Sequence, residues 1–188
     1  MNELKNERMK ELKSERMNEL KSERMKGERL KGILLLMLCA FSFSVQAALP
    51  SVTLKDVDGH PVQIDQLGGK GKPVIISFFA TWCKPCMREL KAIDELYADW
   101  QDEYGVEMYI VSTDQGQDSK KVKPLVDGLG WDYHVLLDPN GELKRAMNVQ
   151  SIPHIFVLDG KGKTVYNHVG YTDGDELEIG KKLRELGN

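Results

Sequence analysis

The chain has 188 residues with 26 Lys/Arg, 29 Asp/Glu and a formal net charge of −3. Apolar residues make up 41% and charged residues 29%, the balance of a globular protein with one ordinary core. That balance excludes a collagen-like or wholly disordered chain, and the negative sign argues against a nucleic-acid binder.

Residues 1–24 are three near-identical octads, MNELKNER, MKELKSER and MNELKSER, with a decayed fourth copy from Met25. Leucine recurs every eighth residue, a period that sustains no coiled-coil seam. The tract offers no apolar face and reads as solvated, helical or disordered chain. Residues 25–47 read as a signal peptide. Lys26, Arg29 and Lys31 precede the 13-residue apolar run Ile33–Val45, and Val45-Gln46-Ala47 forms a small-residue cleavage pattern. The run is short for a membrane span, and an uncleaved tether is the alternative. Cys39 lies inside this run behind Leu38, a residue too large for a lipidation site, and reads as apolar filling.

The remaining segment, 48–188, is one domain's length and holds 16 Lys/Arg against 22 Asp/Glu. Residues 52–65 read as a hairpin turning at Asp58-Gly59. A Gly-rich loop from Leu67 to Pro73 leads to Val74–Phe79, an apolar run of the kind buried on both faces of a sheet. Residues 84–103 read as a helix with Leu90, Ile93, Leu96, Tyr97 and Trp100 on one face, closed by Gly105. Strands follow at 106–112 and 134–137, with a helix over 117–129 between them. Asp138-Pro139-Asn140-Gly141 is a turn opening a short helix at 141–148. Residues 155–158 and 164–168 form a hairpin about Asp159-Gly160, and 173–186 is a final helix. Alternating strands and helices ending in a hairpin predict an α/β fold: a mixed central sheet with helices on both faces.

Between the first buried strand and the first helix stands FFATWCKPC, residues 78–86. Cys83 and Cys86 are the only cysteines of the domain. A bridge between them closes a loop too small to restrain the unfolded chain much, so a structural staple explains them poorly. Cys83 falls where the unpaired N–H groups of a helix start favour thiolate over thiol, and Lys84 adds a cation. Pro85 costs nothing so early in a helix. Cys86, one turn on, lies further from solvent. The geometry makes Cys83 the nucleophile and Cys86 the resolving thiol. Trp82 reads as a flat wall beside the sulfur or as ordinary core. Zinc would need two more ligands, and His60, His134, His154 and His168 form no spaced pair, so no metal is expected.

Trp82-Cys83-Lys84-Pro85-Cys86 resembles the thioredoxin active site, and Ser151-Ile152-Pro153 resembles that family's cis-proline segment. The N-terminal hairpin, the exported start and the insert at about 114–148 with LLDPNGEL make the TlpA/ResA-like group the nearer resemblance. The resemblance implies a thioredoxin-like fold over the whole domain and an extracytoplasmic thiol–disulfide oxidoreductase. It implies a cis Pro153 facing the disulfide, Ile152 pairing with substrate backbone, and Trp82, Lys84 and Pro85 shaping the surface. No cofactor beyond the cysteine pair is expected. Partners would be protein disulfides or dithiols and a membrane-bound thiol reductant.

Two departures matter. Thioredoxin's buried acid is replaced here by Ser77, so the proton of the resolving thiol must go elsewhere: to water, Asp114 or Glu89. Lys84 stands where ResA-like proteins often carry Glu. His154, next to Pro153, would stabilise the Cys83 thiolate if it faced the site, or be an ordinary hydrogen-bonded histidine. The rival function is a non-catalytic binding module on the same fold; the other rival is an oxidising or isomerising enzyme.

Overall fold

The structure is a computed structural model and describes residues 49–187, together with residues 16, 17 and 21, which are helical. The octad tract, the signal-like segment and Cys39 otherwise lie outside the described residues. Among the described residues no helix is long and apolar enough to cross a membrane.

Seven strands form one sheet in the order β2-β1-β5-β4-β3-β6-β7. They are β1 (Thr53–Asp56), β2 (Pro61–Gln63), β3 (Val74–Phe79), β4 (Glu107–Ser112), β5 (His134–Leu137), β6 (His154–Leu158) and β7 (Thr164–Val169). The central trio β3, β4 and β5 is parallel; β1, β2, β6 and β7 run antiparallel to their neighbours. The helices are α1 (Lys84–Tyr104), α2 (Val122–Leu129), α3 (Glu142–Ala146) and α4 (Asp175–Gly187).

Every residue of β3 is buried, as its unbroken apolar run requires. Its side chains alternate between two cores. Ile75 and Phe79 meet Leu90, Ile93, Tyr97 and Trp100 of α1, with α2 and α4 completing that layer. Val74, Ile76 and Phe78 face the opposite core with Leu54, Ile64, Leu143 and Phe156. Helices thus lie on both faces, unequally: three on one, the five-residue α3 on the other. α4 sits flush on α1, because a Cβ on Gly180 would stand 3.2 Å from the Trp100 ring.

Helix ends follow local chemistry. Gly105 and Gly130 close α1 and α2 in the left-handed region, at φ 64 and φ 67. The helix expected over 117–129 is instead a 3-10 turn, Asp118–Lys121, followed by α2. Pro124 explains the break: it lacks an N–H and fits only the first turn of an α-helix. The short α3 is capped from outside, the buried Asp138 carboxylate accepting the N–H of Glu142 at 2.6 Å and of Lys144 at 2.8 Å.

Candidate active site

The end of β3 delivers the chain into the start of α1, and the cysteine pair sits at that junction. Cys83 is the N-cap of α1, with φ −83 and ψ 96, and its Sγ accepts the Cys86 N–H at 3.3 Å. Lys84 and Pro85 occupy the exposed first turn. Cys83 and Cys86 are joined as a disulfide with Cα atoms 5.3 Å apart. Cys86 is wholly buried and Cys83 is 5% exposed. The order of exposure is the one helix geometry dictates, but in this oxidised form the outer sulfur offers an incoming thiolate only a narrow window.

Trp82 stands beside that window and is 67% exposed. The core-packing reading of this residue is therefore corrected: most of its ring lies in solvent. The Ile152–Pro153 peptide is cis. Its loop and Trp82 bound a groove of about 500 Å³, lined also by Thr113, Gln115, Lys144 and Gln150. Gly170 N–H donates to the Pro153 carbonyl at 2.8 Å, tying the loop after β7 to the proline segment.

Behind the pair lies Glu89, one helical turn past Cys86 on the same buried face. It is 2% exposed. Ser77 Oγ donates to its Oε2 at 2.7 Å. Ser77 lies between Ile75 and Phe79 on the α1 side of β3, so a hydroxyl faces the helix where thioredoxin carries its acid. Burial drives the Glu89 carboxyl up to about 7; the Ser77 hydrogen bond opposes this and the charge of Asp175 adds to it. Of water, Asp114 and Glu89, Glu89 is the carboxyl that stands one turn from Cys86 with a raised proton affinity.

Asp114 is committed elsewhere. Its carboxylate accepts the Thr81 N–H at 2.8 Å, the Thr81 hydroxyl at 2.7 Å and the Ser112 hydroxyl at 2.9 Å. It locks the end of β4 to the residue before Trp82, which makes it a brace for the active-site loop.

His154 is placed on the wrong face for the thiolate role. It stacks on Phe156 at 4.3 Å between ring centroids and pairs in register with Phe78, both members of the core opposite the cysteines. Its Nε2 is 2.6 Å from Asn167 Oδ1, while buried Nδ1 has no partner. Asp56, Asp58 and His60 bring ligand atoms within 4.8 Å of one another on the β1–β2 turn. There Asp56 Oδ1 already accepts the N–H groups of Asp58 and His60, and its Oδ2 meets the His60 ring.

Residues 45–167 match the family model described as AhpC/TSA. The thioredoxin-like protein YneN of Bacillus subtilis is 30% identical over 79% of this chain and 94% of its own length. The thiol-disulfide oxidoreductase ResA of Bacillus thuringiensis is 31% identical over 69% of this chain and 72% of its own. Among solved structures, a thioredoxin-like protein from Porphyromonas gingivalis is 64% identical. It superposes with a TM-score of 0.67 over 74% of this chain and 92% of that one.

Proposed function

The chain belongs to the AhpC/TSA family, among its ResA-like thiol–disulfide oxidoreductases, and from that premise we propose that it reduces disulfides of exported proteins outside the cytoplasm. The single observation that carries the chemistry is the Cys83 sulfur held as N-cap of α1 on the Cys86 N–H.

In the reduced enzyme the helix start stabilises a thiolate at Cys83. That thiolate attacks one sulfur of a substrate disulfide. A Cys83–substrate S–S bond forms, the substrate S–S bond breaks, and the released thiolate takes up a proton. Glu89, about half ionised at neutral pH, accepts the proton of Cys86 when in its carboxylate form. The Cys86 thiolate then attacks Cys83 Sγ, closes the intramolecular disulfide and expels the second substrate thiolate. Two electrons have passed to the substrate, and the pair is left oxidised, as seen here. A dithiol partner in the membrane restores it by the same exchange in reverse, and no further cofactor enters.

The direction and location rest on the sequence. Residues 25–47 carry the pattern of an export signal, and a protein working beyond the cytoplasm needs electrons delivered across the membrane. The test has two parts. Wild type should reduce insulin disulfides and Cys83→Ser should not, which separates an enzyme from a binding module. The Cys83–Cys86 potential should lie near about −270 mV, the range of a reductant; a value near about −120 mV would make it an oxidant and overturn the direction.

A further inference from the structure

The charges around the disulfide have the opposite sign to the domain. Residues 48–188 carry 16 Lys/Arg against 22 Asp/Glu. Yet Lys84, Arg88 and Lys91 occupy the exposed side of α1 next to the cysteines, spaced four and three apart as neighbours on one helix surface. The exposed acids of α1, Asp94, Glu95, Asp99, Asp102 and Glu103, all lie further along. This is the reverse of what the helix macrodipole favours, acids at the start and bases at the end. Helix stability therefore does not account for it, and violations of this kind concentrate at functional surfaces.

On the other side of Trp82 the groove is lined by Lys144 and Asp118. Of the acids nearby, Asp118 pairs with Lys121 at 2.7 Å and Asp173 with Arg88 at 3.3 Å, while Glu176 accepts hydrogen bonds from the Tyr171 hydroxyl and the Gly174 N–H. Arg88 also lies over the Tyr171 ring, 5.7 Å from its centroid. Among the described residues Lys84, Lys91 and Lys144 have no carboxylate within ion-pair distance. Lysines without an ion-pair partner thus stand on α1 beside the cysteines, at Lys84 and Lys91, and in the groove, at Lys144.

We propose that this rim selects polypeptide segments whose target cysteine is flanked by aspartate or glutamate. The inference rests on disulfide exchange at Cys83 and names the substrate class for it. A carboxylate on one side of the target cysteine meets Lys84, and one on the other side, lying in the groove, meets Lys144. Such complementarity acts mainly on the encounter rate and fades with salt.

The test uses reduced full-length protein and two disulfide-bonded peptides, identical except for Glu or Lys on either side of each cysteine. Second-order exchange rates are measured at low ionic strength and in 0.3 M salt. The Glu peptide should react about tenfold faster at low salt, with the ratio shrinking in salt. In the double variant Lys84→Gln, Lys144→Gln the ratio should fall to about twofold or less. Equal rates in wild type, a preference for the Lys peptide, or a ratio undiminished by both salt and the double substitution overturns the proposal. Reaction with neither peptide would overturn the exchange reading along with it, so the two failures are distinct.

Discussion

Replacing Glu89 by glutamine isolates the electrostatic cost of the buried acid. The side chain is 2% exposed and hydrogen-bonded by Ser77, and burial moves its carboxyl from 4.5 to about 7. At about 1.4 kcal/mol per pH unit, that difference corresponds to roughly 3 kcal/mol of folding free energy. The sign follows from proton binding. Below pH 4.5 folded and unfolded chains both hold the proton, and the group contributes nothing against the stability of the fold. Between pH 4.5 and about 7 the unfolded chain releases the proton while the folded chain keeps it, which favours unfolding. Above about 7 both are ionised and the loss is complete. Glutamine keeps an acceptor for Ser77 and does not titrate. Its unsatisfied amide protons add a cost that is the same at every pH. The variant should therefore gain on wild type by roughly 3 kcal/mol as pH rises from 4.5 to 8, with nearly all the gain complete by about 7. Urea unfolding of the oxidised proteins at half-unit pH steps reads this directly. A difference between the two proteins that stays flat across that range would refute both the burial argument and the assignment of Glu89 as the proton acceptor for Cys86.

Two further substitutions probe the residues that the fold assigns to other work. Asp114→Ala strands the Thr81 N–H and hydroxyl and the Ser112 hydroxyl, and should cost about 2–4 kcal/mol by urea unfolding. It should also speed hydrogen exchange at the Thr81 amide, and unchanged protection there would mean the carboxylate braces nothing. His154→Phe should leave the alkylation pKa of Cys83 within about half a unit of wild type, because the ring stacks in the opposite core. A larger change in the rate–pH profile with iodoacetamide would return His154 to the thiolate's surroundings.

Much of this fold is legible in the sequence. The six-residue apolar run of β3, the 3–4 spacing through Leu90, Ile93, Tyr97 and Trp100, and the terminating glycines 105 and 130 are local signals with local causes. So is the cysteine pair at a strand-to-helix junction. Legibility failed where sheet parity or distant pairing decides. His154 follows Pro153 directly, but which face it takes depends on register with Phe78, which no local pattern prints. Ser77 and Glu89 are 12 residues apart and meet because β3 and α1 pack on each other; the sequence offered Glu89 only as one of three acceptors. Asp114 reads as a free base because two of its three donors come from Thr81, 33 residues away in the chain. Trp82 was ambiguous because a tryptophan next to a strand suits a core as well as a lip.

The N-cap at Cys83 has a bearing on turnover. In the oxidised pair the Cys86 amide stands beside the Cys83 sulfur across a closed bridge, the place where a helix start favours an anion. The backbone donor that would steady an anion on the outer sulfur is thus already in place while the bridge is closed.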